Sequence, residues 1–319
     1  MAIAGATFVV IALSALLDPV TVRDAGQTAP AEPGGGRLEP AQAQPESESL
    51  RAAREAERFA TDSSRPDLVR IRFKRKPRAG LLFDLRSGRV LWRRNPRRRL
   101  AIASLTKMMT ALLVVEREDA HERVRISRRA TRTGGSGIGV LPKGKKAQLE
   151  ALLNGLLLVS GNDAAVALAE HSAGSERRFV RLMNRRAREL GLSCTRFSTP
   201  HGLQDRGNHS CAADLAALAR ADLAQHRIRR VARRRRAIIK FPIRGGRLFL
   251  YNNNPLLRAG YRGITGLKTG YTDRAGRSIV ATATRGRRRV GVVLLHSYNP
   301  PEQARKLLDR GFKALARAR

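Results

Sequence analysis

The chain has 319 residues, enough for one large domain or two modest ones with a real core, which excludes a small stapled peptide. Apolar residues make up 42% and recur in blocks of helix and strand length, which excludes wholesale disorder, while 63 Lys and Arg against 26 Asp and Glu give a formal charge of +37. That charge invites a nucleic-acid or anionic-polymer partner, but 53 of the cations are arginine and only 10 are lysine, a bias that genome base composition produces as readily as a binding surface does.

In chain order, Ala2 to Leu17 is an uncharged, mostly apolar run ending at Asp18, the length of a signal-peptide core and short for a membrane-spanning helix. It predicts an export signal or N-terminal anchor over residues 1–17, although the usual preceding Lys or Arg is missing. Residues 18–65 are rich in Pro, Gly, Ala and Glu, with Gly34-Gly35-Gly36 and almost no core-forming side chains, and predict a linker. Residues 66–319 contain no second linker and no internal repeat, so they predict a single domain.

Within it, Leu81-Leu82-Phe83-Asp84 and Val90-Leu91-Trp92 flank Arg86-Ser87-Gly88, a β-hairpin pattern. Helices are predicted over Ser104–Glu116, Gln148–Ser160, Asp163–His171, Phe179–Leu190 and Ala212–Ala224. Arg227 to Arg236 has seven arginines in ten positions, and the interleaved Ile228 and Val231 predict a helix or strand with one packed side. No aromatics alternate with these arginines, so the base-stacking platform of a single-strand nucleic-acid binder is absent and no specific nucleic-acid partner is expected. Strands follow at Leu248–Leu250, Ser278–Ala283 and Val290–Leu295, then a basic helix, Glu302–Ala316, with Ala304, Leu307, Leu308 and Phe312 on its core side. Strands at both ends with helices between imply an α+β domain whose antiparallel sheet is built from both termini.

Three short segments carry the chemistry. Ser104-Leu105-Thr106-Lys107 sets a serine three residues before a lysine, one face of a helix, where a desolvated amine can take the hydroxyl proton. Arginine never deprotonates in proteins, and this arginine-rich chain keeps a lysine here. Ser160-Gly161-Asn162 stands at a break between two helices, where a hydroxyl and an amide can point together into a cleft or simply cap a helix. Lys268-Thr269-Gly270, followed by Tyr271, reads as a turn or as a twisted edge strand whose Gly270 lets both polar groups face a carboxylate.

The trio, in this order, resembles the serine D-alanyl-D-alanine carboxypeptidases, the low-molecular-mass penicillin-binding proteins. Ala103 to Thr110, Ser160 to Ala165, Thr199-Pro200-His201-Gly202-Leu203, Asn252 to Leu257 and Gly266 to Thr272 extend the likeness over roughly residues 78–315. The resemblance implies a β-lactamase/DD-peptidase-like fold: an antiparallel sheet flanked by helices, with a helical insert. It implies that Ser104 attacks the carbonyl of the penultimate D-alanine of a peptidoglycan stem peptide, with Lys107 as base. Ser160 then relays a proton to the leaving amine, Asn162 holds Lys107 and substrate, and Lys268 and Thr269 bind the terminal carboxylate. The backbone N–H groups of Ser104 and Tyr271 form the oxyanion hole. β-Lactams are expected to acylate the same serine.

Competing readings are a DD-endopeptidase, a class A-like β-lactamase and a non-catalytic cationic binder of envelope polymers. A β-lactamase needs a carboxylate to activate the deacylating water, and the corresponding region offers only Glu189, inside an amphipathic helix, with no Glu-x-x-x-Asn loop. His201 and His171 are assigned structural roles. Cys194 and Cys211 flank the Thr199–Leu203 loop, and in an exported protein a disulfide between them is expected. Two cysteines cannot build a four-ligand zinc site and the six histidines lack a His-Glu-x-x-His spacing, so no metal or cofactor is expected. The expected place of action is extracytoplasmic, in the envelope or periplasm, where the positive surface could meet anionic envelope polymers.

Overall fold

The structure, a computed structural model, describes residues 47–203 and 207–318. The apolar run 1–17 and the first part of the expected linker lie outside the described residues. Among the described residues the folded part begins well before the expected boundary at Pro66. The reason is helix α1 (Glu48–Phe59), capped by the Ser47 hydroxyl, which accepts the Leu50 N–H. Its sequence is rich in Glu, Arg and Ala, all good helix formers, and two contacts dock it: Phe59 is buried, and both guanidinium nitrogens of Arg186 lie 2.7 Å from the Glu55 carboxylate. A composition poor in apolar residues looked like linker, yet one anchor and one bidentate ion pair are enough to hold three turns of helix.

The expected hairpin forms from β1 (Ala79–Asp84) and β2 (Val90–Arg94). β3 (Leu100–Ala101) leads through a 3-10 turn, Ala103–Thr106, into α2 (Lys107–Arg117). There follow β4 (Arg123–Arg125), α3 (Arg128–Thr131), β5 (Lys146–Gln148), α4 (Leu149–Leu158), α5 (Asn162–Ala173) and α6 (Glu176–Glu189). Next come β6 (His209–Ser210), α7 (Ala212–Ala224), α8 (His226–Ala232), the ribbon β7 (Arg236–Lys240) and β8 (Arg247–Tyr251), and α9 (Pro255–Arg258). The chain returns through β9 (Ile264–Gly270), β10 (Ser278–Arg285) and β11 (Arg288–Leu295), and the last element is α10 (Pro300–Arg317). The arginine run is both a helix and a strand: α8 buries Ile228 and Val231, and β7 begins at Arg236.

The main sheet has five antiparallel strands in the order β2-β1-β11-β10-β9, so strands from both ends of the domain sit side by side, as the α+β reading requires. Both faces are covered, which is why its strands are nearly continuous apolar runs. Alternation divides them: Leu81, Phe83 and Val293 join the helical core with α2, α4, α5 and α7, whereas Leu82, Val292 and Leu294 pack against Leu307, Leu308 and Phe312 of α10. Helix α2 is buried on all sides from Lys107 to Val114, the mark of a helix threaded through the centre of a core. Cys194 and Cys211 are joined by a disulfide with Cα atoms 5.7 Å apart, closing the loop between α6 and α7. No helix among the described residues is long and apolar enough to cross a membrane.

Gly291 of β11 lies opposite Phe83 of β1, and a Cβ there would fall 2.4 Å from the Phe83 ring. Gly291→Ala should therefore overpack the sheet and cost about 1–3 kcal/mol in thermal unfolding. In a double-mutant cycle Phe83→Leu should recover part of that loss, whereas strictly additive costs would show that ring and glycine are not coupled.

Candidate active site

The 3-10 turn Ala103–Thr106 delivers Ser104 to the mouth of the core just as α2 begins at Lys107. Ala103 is held at φ +47°, an unfavourable backbone for a residue with a Cβ, and this bends the chain so that the serine and the lysine three residues later meet. Lys107 Nζ lies 2.9 Å from Ser104 Oγ, 2.6 Å from Asn162 Oδ1 and 2.8 Å from the His201 carbonyl oxygen. The side chain has no solvent exposure. Burial, with the Lys268 charge second, pushes its pKa well below the ordinary lysine value. A neutral amine has two N–H bonds and one lone pair. In that form the two carbonyl oxygens would take the N–H groups and leave the lone pair for the Ser104 hydroxyl.

Ser160 stands between α4 and α5 at φ +64°, another strained position at the site. Gly161 N–H closes the corner by donating to the Gly155 carbonyl at 3.0 Å, and Asn162 starts α5. Lys268 on β9 is 2% exposed, and its Nζ donates to Ser160 Oγ at 2.9 Å and to the Thr269 carbonyl at 2.9 Å. Desolvation lowers its pKa to about 7. β9 is an edge strand of the main sheet, so the two catalytic-looking lysines come from the two core partners of one cleft: α2 beneath and the sheet edge beside. Gly270 is required there, because a Cβ would come within 2.9 Å of the Ile102 carbonyl and 3.2 Å of Ser104 N. Thr269 lies within β9, the exposed Tyr271 follows directly after it, and the Tyr271 hydroxyl donates to Asp273.

Several contributors carry no recognisable side-chain signal. Residues 134–139 form a loop that closes over α5: Asn162 Nδ2 donates to the Gly134 carbonyl at 2.8 Å and Asn162 N to the Ser136 carbonyl at 2.7 Å. Gly135, at φ +78°, has no room for a Cβ, which would lie 2.7 Å from Asn162 Nδ2. Asp163, next to Asn162, accepts the N–H groups of Ile138 and Gly139, both at 2.9 Å, and pins the loop. Asn253 ties the other side, with N and Nδ2 donating to the Leu158 and Val159 carbonyls just before Ser160. His201 contributes its carbonyl and not its ring: Nδ1 accepts the Leu203 N–H at 3.0 Å, and burial, with Lys107 beside it, lowers its pKa to about 4. The clustering of Gly134, Gly135, Gly137 and Gly139 is the one trace of that loop in the sequence.

With this geometry in place, the D-alanyl-D-alanine carboxypeptidase family matches residues 72–299. The chain belongs to that family. A D-alanyl-D-alanine carboxypeptidase of Bacillus subtilis is 37% identical over 243 residues, covering 74% of this chain and 62% of the relative. One from Escherichia coli K12 is 36% identical over 249 residues, 73% of this chain and 60% of the relative. This chain thus spans about three fifths of the length of those curated relatives. Among solved structures, a D-alanyl-D-alanine carboxypeptidase from Mycobacterium tuberculosis superposes with a TM-score of 0.72 at 32% identity, covering 77% of this chain and 94% of that one. A Streptomyces DD-transpeptidase gives 0.71 at 28% identity, covering 76% and 100%. The fold is therefore that of the DD-peptidases. Glu189, the one carboxylate weighed for a β-lactamase, sits at the end of α6 beside Arg186 at 3.3 Å, with no bond to the site.

The environment of the two lysines has a direct spectroscopic consequence. In a protein labelled with 13C-lysine, Lys268 should titrate at about 7 and Lys107 well below the ordinary lysine value, both set apart from the rest of the lysine resonances. Ten resonances titrating together would contradict the buried, uncharged amine.

Proposed function

We propose that this D-alanyl-D-alanine carboxypeptidase family member is itself a serine carboxypeptidase that removes the terminal D-alanine from peptidoglycan stem peptides outside the cytoplasm, and that β-lactams acylate it. The observation that carries the reading is the fully buried Lys107 amine 2.9 Å from Ser104 Oγ, with its two N–H groups already engaged by carbonyl oxygens.

In this reading Ser104 Oγ attacks the carbonyl carbon of the penultimate D-alanine while its proton passes to the Lys107 lone pair. The N–H groups of Ser104 and Tyr271 receive the developing oxyanion, a pairing that the close packing of Gly270, next to Tyr271, against Ser104 N supports. The C–N bond then breaks, and the leaving amine takes a proton from Ser160 Oγ. Because Lys268 donates to that oxygen, the hydroxyl's own hydrogen is directed away from Lys268, and Lys268 can replace it. Lys268 and Thr269 hold the terminal carboxylate, so the clamp selects a chain end over a chain interior. β9, an edge strand, gives an extended peptide backbone a line of main-chain partners. Water then attacks the acyl carbonyl; as the ester bond breaks Ser104 Oγ takes back the proton held on Lys107, and the proton shed by the new carboxylic acid restores the charge on Lys268.

D-Alanine release from a peptide ending in two D-alanines is the test. Ser104→Ala should lower the rate at least about 1,000-fold and abolish covalent labelling by penicillin in intact-mass spectra, with the melting temperature nearly unchanged. A variant that kept release would end the assignment of the nucleophile.

The two lysines must be in opposite states, Lys107 neutral and Lys268 charged. kcat/KM, which reports the free enzyme, should rise as Lys107 loses its proton and fall again through about pH 7 as Lys268 loses its own. In Lys268→Arg the falling limb should vanish, because a guanidinium stays charged across the whole accessible pH range. A profile of unchanged shape in that variant would assign the limb to another group.

A further inference from the structure

Away from the catalytic cleft, a cavity of about 650 Å³ opens between the end of α1, the β1–β2 turn, the α7–α8 junction and the strands β9 to β11. Seven arginines and no carboxylate line it. Three of the seven are engaged: Arg220 donates to the Leu85 and Arg86 carbonyls at 3.3 and 3.2 Å, Arg229 to the Leu223 and Ala224 carbonyls at 2.7 and 2.8 Å, and Arg230 Nη2 to Glu150 at 2.8 Å. The other four, Arg58, Arg86, Arg233 and Arg289, make no ion pair and no side-chain hydrogen bond among the described residues. Arg58 rests only on the Phe59 ring, 5.2 Å from its centroid. In addition, Arg230 Nε is buried with no partner.

Uncompensated guanidinium groups around one cavity repel one another, and this self-repulsion is relieved by an anion of matching charge. Guanidinium forks suit phosphate oxygens, which they bind in pairs of parallel hydrogen bonds. A single carboxylate would leave most of the charge of four arginines unmatched. The size falls within the range of about 300–1,000 Å³ usual for small-ligand pockets. Thr265 and Thr284 also line the cavity and present hydroxyl-bearing side chains beside the arginines.

We propose that this cavity is a binding site for a diphosphate-class anion, free or carried as a phosphate headgroup, separate from the catalytic cleft. None of Ser104, Lys107, Ser160 or Lys268 lines it. Such a site would hold the enzyme at a phosphate-bearing surface without entering the chemistry, and it does not depend on the carboxypeptidase reading.

Calorimetric titration of the full chain with sodium diphosphate at ~0.15 M salt, a physiological ionic strength, tests it. One saturable site is expected. Arg233→Ala/Arg289→Ala should weaken it at least tenfold, while Arg244→Ala/Arg247→Ala, which removes the same charge from the β7–β8 turn, should leave it within twofold. Melting curves establish that each variant is folded; if the first pair is not, Arg58→Ala/Arg86→Ala replaces it. Absence of saturable binding, or equal weakening by both pairs, overturns the proposal in favour of bulk charge. In a second arm, vesicles of phosphatidylcholine with phosphatidic acid distinguish the source. Capture of the wild type that is lost in the cavity variant supports a headgroup. Capture of both variants alike, with no diphosphate site, counts against the cavity.

Discussion

The structure of the site follows from keeping one amine out of water without a counter-ion. An ammonium buried at Lys107 would cost several kcal/mol even after relaxation, so burial pushes its pKa well below the ordinary lysine value, and the neighbours suit the neutral form. Asp163 is the test of this logic. Its carboxylate stands one residue from Asn162 and would restore the charge on Lys107 if it bonded to it. Instead it is occupied by the N–H groups of Ile138, Gly139 and Ala164, and its effect on Lys107 is the weakest of the three that act there. The amide of Asn162 and the carbonyl of His201 take the remaining places around Nζ, and both are neutral acceptors.

That constraint explains why the site is built where helix core and sheet edge meet. Only the interior of a fold desolvates a lysine fully, but in the proposed reaction the serine beside it must reach substrate. α2 satisfies the first demand by being buried on every side, and the bend at Ala103 satisfies the second by bringing Ser104 to the rim. β9 supplies the other wall, and as an edge strand it leaves one side of its backbone open. The price is strain at Ala103 and Ser160, carried by a core that over-determines both positions. The Asn252–Asn254 segment contributes to this by binding the ends of α4 and α8 together: Asn252 Nδ2 donates to the Ala232 and Arg234 carbonyls while Asn253 holds Leu158 and Val159.

Much of this was legible in the sequence where side chains carry the information. The hairpin, helix α7 to the residue, and the closing α10 follow from apolar spacing, and Ser104, Lys107, Ser160, Asn162 and Lys268 follow from residue type in order. What was hidden acts through the backbone. The 134–139 loop contributes carbonyls and N–H groups, which every residue has, and His201 contributes a carbonyl where its ring draws the eye. β9 was ambiguous because Gly266 and Gly270 look like turn residues, when Gly270 in fact marks a close approach to Ser104. α1 was misread because the composition rule counts apolar residues, and this helix is docked chiefly through Glu55 and Arg186.

The cation composition ties these points together. All ten lysines are among the described residues; eight are exposed, and the two that are buried are Lys107 and Lys268. None of the described arginines is buried. A guanidinium cannot be neutralised by desolvation, and every described arginine keeps some contact with solvent, whereas burial can move an amine's pKa, well below the ordinary value at Lys107 and to about 7 at Lys268. The arginine bias does not itself identify the chemistry, but it sharpens the contrast against which two interior amines stand out, one beside Ser104 and the other beside Ser160.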